Sequence, residues 1–244
     1  MPIARVNDTI LFFVHVPKCG GTSIKRFLQD HGRTALDGRG GRDDWSRSTA
    51  DHVHAAIYDH LVPVNFYDDG FIIFRDPVDR LRSEFRMFAR PARRSWNPIN
   101  WILAALARLR GRPLYGYQFF HTTWWVDPDI WVRGALLVAR FMPYRGNNHY
   151  RPQSEFWREG LTPFFLEDGL DQVTDWIVSR TGLDPDISDK APPREAPRLR
   201  AAQRQPRVTD VPFSEATIRH IKRHYAADYA LFETLRARAG GPTR

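Results

Sequence analysis

The chain has 244 residues, enough to bury the core of one large α/β domain. Its formal net charge of +8 favours an anionic partner, and its basic side chains are arginines apart from Lys18, Lys25, Lys190 and Lys222. The single cysteine excludes an internal disulfide and a multi-cysteine metal site, and no apolar run has the length of a membrane span.

The first predicted unit is a strand, a glycine-containing turn and a helix. An apolar run over 10–16 predicts a buried strand, and a helical pattern follows over 22–31. The turn between them reads Pro17-Lys-Cys-Gly-Gly-Thr-Ser23. Its glycines permit positive φ and close backbone approach, so amides at the start of the helix can converge on an anion. This order is typical of the phosphate loops of nucleotide-binding α/β proteins.

The turn differs from two familiar phosphate loops. A Walker A loop carries its Lys directly after the second glycine, followed by a Ser or Thr for Mg²⁺, whereas Lys18 precedes both glycines. A tyrosine phosphatase loop, Cys-x5-Arg, would need an Arg where this chain has Lys25. A simple Gly-Gly turn between strand and helix is the plain alternative.

A second strand–turn–helix unit follows a short helical segment predicted over 51–60. The apolar run 71–74 predicts a buried parallel strand, and the pattern over 77–90 predicts a helix. Arg75 stands at the end of this strand, and Ser83 lies about two turns along the helix. An Arg fork and a hydroxyl can grip one phosphate together. A helix start with solvated arginines is the alternative.

The later part of the chain predicts further helices. The pair Asn97-Pro98 is typical of an N-cap and a first helical residue, and the helix that it begins ends before Gly111. The remaining predicted elements are a strand over 164–166, a helix over 170–181 and one long helix over 214–238.

We expect a single domain over 1–244, with a helical and aromatic insertion at about 91–150 and an exposed loop at about 187–207. The helix of the insertion is expected to pack on the core, and part of the insertion can serve as a substrate lid. The alternative is a helix lying on a membrane surface, with Trp and Arg at the interface. The apolar positions of this helix are Trp101, Ile102, Ala105, Leu106 and Leu109.

Together, the two strand–turn–helix units resemble the sulfotransferases that use 3′-phosphoadenosine 5′-phosphosulfate as donor. The segment Pro17 to Ser23 is similar to the family's 5′-phosphosulfate loop, although Cys19 stands where Thr is common. The segment Arg75-Asp-Pro-Val-Asp-Arg-Leu-Arg-Ser83 is similar to its 3′-phosphate motif. The most similar branch contains the carbohydrate O-sulfotransferases, such as heparan sulfate 2-O-sulfotransferase, and bacterial relatives. Two weaker matches are Asn148-His-Tyr-Arg-Pro-Gln153 and Phe165-Leu-Glu-Asp168.

The resemblance implies a three-layer P-loop NTPase-like α/β fold with a central, mainly parallel sheet between helices. It also implies in-line transfer of a sulfuryl group to an acceptor hydroxyl, expected on a carbohydrate, without a metal. Lys18 would stabilise the developing charge, and His149 and Arg151 would contact substrate. The donor-binding residues implied are Pro17, Lys18, Cys19, Gly20, Gly21, Thr22, Ser23, Arg75 and Ser83.

Relatives have a His in the region before the second unit that acts as general base. Both His52 and His54 match forms of that region, with His54 preferred as the base, and a histidine suits proton removal at neutral pH. A structural role for either residue is the alternative. His15 is expected to be a buried packing histidine. Glu84 and Glu167 are less favoured candidates for the base.

Two other classes of function stay open. One is a nucleotide-dependent kinase or NTPase on the same scaffold, and the other is a nucleotide-binding protein without catalysis. No nucleic-acid-binding motif is present, so nucleic acid is not expected as a partner. No secretory signal pattern is present, so the expected location is the cytoplasm, with peripheral contact to the inner membrane face as an addition.

Overall fold

The computed structural model describes residues 1–38, 48–91, 98–109, 111–119, 122–144, 146–184, 208 and 210–240. The exposed loop predicted over 187–207 and the predicted N-cap Asn97 lie outside these residues. The chain divides into two compact units. The first comprises Met1–Asp76, Met142–Ala196 and Tyr225–Arg244, and the second comprises Pro77–Phe141 and Pro197–His224.

Strands and helices alternate along most of the chain. The strands are β1 (Ile3–Val6), β2 (Thr9–Val14), β3 (Arg33–Ala35), β4 (Asp69–Phe74), β5 (Ala89–Pro91), β6 (Tyr115–Phe119), β7 (Thr122–Val126) and β8 (Thr162–Phe165). The helices are α1 (Gly21–His31), α2 (Ala55–Leu61), α3 (Pro77–Phe88), α4 (Pro98–Leu109), α5 (Pro128–Phe141), α6 (Asp171–Thr181), α7 (Glu215–His224) and α8 (Ala226–Gly240).

The first unit contains a mixed five-stranded sheet in the order β3-β1-β2-β4-β8. β4 pairs in parallel with β2 on one side and with β8 on the other, and the buried runs of β2 and β4 are apolar throughout. Such runs are typical of parallel strands covered on both faces. The α/β class is therefore confirmed, and the central strands are parallel as expected.

The sheet departs from the expected mainly parallel pattern at one edge. β1 lies antiparallel to both β2 and β3, so two of the four strand pairings are antiparallel. β1 and β2 form a hairpin through Asn7 and Asp8, and Asn7 adopts the positive φ of 50° that such a tight turn requires. The sequence analysis missed β1 and β3 because both are short.

Helices α1, α6 and α8 contribute side chains to the core of the first unit. Phe13 and Phe71 stack at its centre with ring centroids 4.7 Å apart. Helix α6 ends at Thr181, as predicted, and Gly182 after it has φ of 64°. The buried side chains that the three helices contribute include Ile24, Phe27, Leu28, Val173, Ile177, Phe232 and Leu235.

The prediction of a single C-terminal helix over 214–238 is wrong, because the helix breaks at Tyr225. Helix α7 ends at His224, and the carbonyl of Tyr225 accepts the amide of Asp228 at 3.0 Å to begin α8. The Tyr225 side chain is buried, and its hydroxyl donates to the Tyr150 carbonyl at 2.8 Å. This tertiary anchor outweighs the helical propensity of the surrounding residues.

The second unit contains the antiparallel sheet β5-β6-β7 with helices α3, α4, α5 and α7. Helix α4 does not bury the apolar positions expected to pack on the core. It buries Asn100 and Ala107 instead, and the Asn100 Oδ1 accepts the Trp125 amide at 3.0 Å. Trp101, Ile102 and the other large apolar side chains of this face are exposed. None of the described helices combines the length and apolar character of a membrane-spanning segment.

The carboxylate of Asp228 predicts a large stability effect. It is fully buried and accepts the amides of Gln153 and Ser154, each at 2.9 Å, and the Ser154 hydroxyl at 2.8 Å. Asp228→Ala leaves these donors unsatisfied and should lower the free energy of unfolding by about 3 kcal/mol, measured by urea denaturation. The control is Glu233→Ala on the exposed side of the same helix, and equal stability of the two variants would contradict the assignment.

Candidate functional site

The turn after β2 leads directly into the first turn of helix α1. Helix α1 begins at Gly21, and Gly20 has φ of 82°, which suits glycine. A Cβ at Gly20 would also lie 2.9 Å from Leu166 Cδ1. Gly20, at the N-cap position, has no side chain that could cap the helix, and Thr22 in the first turn is exposed. Backbone amides at a helix N-terminus, together with the helix dipole, can bind an anion.

Lys18 adopts a positive φ of 68° in this loop, an unusual conformation for a residue with a Cβ. Such strain concentrates at functional sites, where the surrounding structure holds it. The carbonyl of Lys18 accepts a hydrogen bond from Arg75 Nη1 at 3.2 Å. The Arg75 side chain, which follows β4, therefore reaches the loop that follows β2.

The carboxamide of Gln153 links the same two strand ends. Its Oε1 accepts the Cys19 thiol at 3.2 Å and the Arg75 amide at 3.0 Å, and its Nε2 donates to the Arg75 carbonyl at 2.7 Å. Gln153 is fully buried, and its own amide is held by Asp228. The loop and the end of β4 are thus joined through one side chain. The thiol hydrogen bond holds Cys19 in this arrangement.

A histidine cluster lies directly against the loop. The His15 ring is buried, and a Cβ on Gly21 would lie 2.0 Å from its Cδ2. The rings of His15 and His52 have centroids 4.6 Å apart, and the rings of His52 and His149 have centroids 5.4 Å apart. His15 is the buried packing residue that the sequence analysis expected. The structure brings His52 and His149 together beside it.

The proton position on His52 follows from its partner. The Nδ1 atom lies 3.2 Å from the His15 carbonyl, which only accepts, so Nδ1 carries the proton and Nε2 carries the lone pair of the neutral ring. Burial lowers the pKa of His52 to about 4, and the Asp51 carboxylate opposes that shift. Burial also lowers the pKa of His15, and the neighbouring His52 adds to the effect. Both rings are neutral at physiological pH.

Asp51 is the acidic member of this cluster. Burial acts to raise the pKa of Asp51, but His52, the Thr49 hydroxyl and the Lys25 ammonium together hold it below its ordinary value. Its Oδ2 lies 3.2 Å from Lys25 Nζ and 3.9 Å from His15 Nδ1. His15, Asp51 and His52 can offer three metal-ligand atoms within 4.8 Å of one another. Lys25 already supplies a cation to that carboxylate, which disfavours a metal ion there.

His54 occupies different surroundings. It precedes α2, its side chain is buried, and its ring lies 5.7 Å from that of Tyr144 and 6.4 Å from that of Phe156, between centroids. Burial lowers its pKa, and the charge of Arg151 lowers it further. Its ring contacts are aromatic, whereas those of His52 are with two other histidines.

The segment Asn148 to Gln153 holds several parts of the first unit. Asn148 Nδ2 donates to the His52 carbonyl at 2.8 Å, which fixes the backbone of that histidine. Arg151 donates to Asn148 Oδ1 at 3.0 Å, pairs with Glu155 and lies over the Tyr144 ring. His149 lies in the histidine cluster, whereas Arg151 contacts Asn148, Glu155 and Tyr144.

The other predicted candidates are Ser83, Glu84 and Glu167. Ser83 is half-buried on α3, and Glu84 is buried on the same helix, both in the second unit. Glu167 is exposed in the first unit, and its Oε1 accepts the Asp76 amide at 2.8 Å.

The sequence analysis missed the parts played by Gln153, Asp51 and Lys25. Gln153 ends a segment that was quoted for its resemblance, and Asp51 directly precedes His52. Comparison of the chain with family models, with characterised proteins and with solved structures finds no match. The chemistry of the site therefore has to be inferred from its own residues.

Gly21 provides a test of the packing between loop and histidine. Gly21→Ala forces its Cβ into the buried His15 ring, and we expect a loss of about 2 kcal/mol in unfolding free energy, measured by urea denaturation. His15→Ala should remove most of the additional cost of Gly21→Ala in the double variant. Gly134→Ala is the matched control, because a Cβ there meets no atom within 4 Å. An equal cost of Gly21→Ala with and without His15 would rule out the contact.

Proposed function

We propose that this protein transfers a sulfuryl group from 3′-phosphoadenosine 5′-phosphosulfate to an acceptor hydroxyl. The observation that carries the proposal is the hydrogen bond of 3.2 Å between Arg75 Nη1 and the Lys18 carbonyl. It joins the two segments that resemble the donor-binding motifs of sulfotransferases. Ligands of open α/β sheets bind outside the carboxyl ends of parallel strands, which is where β2 and β4 carry these residues.

The loop and its flanking cations have the chemistry that a phosphosulfate requires. The backbone from Gly20 to Ser23 would hold the 5′-phosphosulfate, and Arg75 would bind the 3′-phosphate by charge-assisted hydrogen bonds. Lys18 would stabilise negative charge on the sulfuryl and leaving oxygens. A P-loop NTPase-like arrangement of the first unit is part of the same proposal.

His52 is the residue that we favour as general base, ahead of His54. Its Nδ1 proton is engaged by the His15 carbonyl, so Nε2 is the atom that can accept a proton. The neighbouring His15 contacts the loop at Gly21, which associates His52 with the donor site. As the acceptor oxygen bonds to sulfur, its proton passes to Nε2, and the bond from sulfur to the bridging oxygen breaks. The acceptor class we propose is a carbohydrate, because the resembling branch acts on carbohydrates.

Binding of 3′-phosphoadenosine 5′-phosphate, the donor product, tests the donor site. We expect micromolar affinity by calorimetry without Mg²⁺, and at least tenfold weaker binding of adenosine 5′-phosphate, which lacks the 3′-phosphate. Arg75→Ala should lose at least tenfold in affinity, whereas Arg33→Ala on the exposed edge of β3 should bind like the unmodified protein.

Three results would contradict the donor site. They are no binding, equal binding of both nucleotides, and a Mg²⁺-dependent preference for ATP. The last of these would favour the kinase or NTPase alternative. Tight binding of the bisphosphate without transfer to any acceptor in a broad glycan screen would instead favour a non-catalytic nucleotide-binding protein.

The role of His52 is tested by titration and by transfer assay. Its imidazole should titrate near pH 4 by NMR, because burial disfavours the charged ring, so Nε2 is unprotonated throughout the neutral range. His52→Ala should reduce radiolabelled sulfate transfer by at least a hundredfold and leave bisphosphate affinity unchanged. His54→Ala is the matched comparison, and greater loss of transfer in that variant would reassign the base.

A further inference from the structure

Helix α4 in the second unit presents its apolar side to solvent. Trp101, Ala105 and Leu109 recur every four residues, and Ile102 and Leu106 form the adjacent row. Ile102 is 62% exposed and Leu109 is 84% exposed. A surface helix of a globular protein normally turns such a face toward the core. Here the apolar face needs another explanation.

Helix α5 in the same unit repeats this arrangement. Its inner side buries Trp131, Val132 and Leu136, whereas Leu137 is 61% exposed and Phe141 is 74% exposed. Exposed Ile130 precedes Leu137 by seven residues and so lies on the same side. The charged side chains that flank this outer face are Arg133 and Arg140, both exposed.

A cationic groove borders the outer face of α5. Its volume is about 500 Å³, and Arg133 of α5 forms one wall. Helix α7 supplies the other lining residues, which are Ala216, Arg219, His220, Lys222 and Arg223. Arg133 lies four residues, about one turn, before Leu137 and thereby joins the groove to the apolar face.

The groove has no acidic lining, and its basic side chains form no ion pair with an acidic side chain in the described part of the chain. The neighbouring carboxylates Asp127 and Asp129 bind Arg112 instead. The surface therefore combines apolar side chains with positive charge. This combination fits an interface whose inner part is apolar and whose rim is anionic.

We propose that the second unit docks on a bilayer containing anionic phospholipid. The apolar face of α5 enters the boundary between headgroups and acyl chains, and the groove binds lipid phosphates. The exposed indole of Trp101 and the apolar face of α4 provide further interfacial contact, since Trp is suited to this boundary. A second copy of the chain fits less well, because two such cationic rims would repel each other.

Vesicle co-sedimentation of the full chain tests the proposal. The probes are vesicles of phosphatidylcholine alone and vesicles in which phosphatidylglycerol makes up a third of the lipid. Binding should require phosphatidylglycerol and fall at high salt. The double variant Arg219→Glu and Arg223→Glu should bind at least tenfold more weakly, since each basic residue near an anionic surface contributes about fivefold.

Leu137→Asp separates bilayer docking from plain charge attraction. It should lower vesicle affinity about tenfold. The free energy of unfolding should stay unchanged, because the Leu137 side chain is exposed. The matched controls are Leu61→Asp on α2, an equally exposed leucine, and Arg33→Glu on β3. Both controls should bind vesicles like the unmodified protein.

Several outcomes would overturn the proposal. They are no binding to either vesicle, binding unaffected by Leu137→Asp, and a stable dimer by light scattering that Leu137→Asp dissociates. If heparin or RNA binds as tightly as the anionic vesicles, and Leu137→Asp leaves that binding unchanged, the groove is a site for a soluble polyanion. None of these results depends on the donor site, which calorimetry with the bisphosphate reports separately.

Discussion

The carboxamide of Gln153 provides hydrogen-bond partners for buried backbone groups at the ends of two parallel strands. Where β2 and β4 end, their backbones leave the ladder, and buried amide and carbonyl groups need new partners. One carboxamide offers both a donor and an acceptor, and it satisfies the amide and carbonyl of Arg75 together with the thiol of Cys19. Asp228 fixes that carboxamide from the opposite side through the backbone. The direction of the Arg75 side chain toward the loop follows from this arrangement.

The histidine cluster adds an electrostatic constraint to the same region. His15, His52 and Asp51 lie close together, and burial and mutual repulsion lower the pKa of the two rings. Neutral His15 and His52 leave positive charge beside the loop to side chains such as Lys18 and Arg75, whereas Lys25 is paired with Asp51. The tautomer of His52 is set by a backbone carbonyl, so its accepting nitrogen does not depend on a titrating partner.

In the second unit, a polar contact rather than apolar packing sets the orientation of a helix. Helix α4 buries Asn100 and Ala107, and helix α5 buries Trp131, Val132 and Leu136, while both helices leave several large apolar side chains exposed. Asn100 is buried on α4 because its carboxamide oxygen accepts the Trp125 amide of strand β7, a role that an apolar residue cannot fill. An amphipathic helix therefore need not turn its apolar side inward when a polar contact fixes its orientation.

Local sequence determined the two strand–turn–helix units. Their apolar runs, Gly20 and Pro77 each favour a backbone conformation over a few neighbouring residues, so the sequence alone predicts them. It also indicated the α/β class. The antiparallel edge, the break at Tyr225 and the outward face of α4 needed tertiary structure, since periodicity shows which side chains are apolar but not what lies opposite them. Tertiary structure also gave His52 and His54 different surroundings. It brought Gln153 into hydrogen-bond contact with Cys19, 134 residues away. Contacts over such separations depend on how whole elements pack, which no local pattern records.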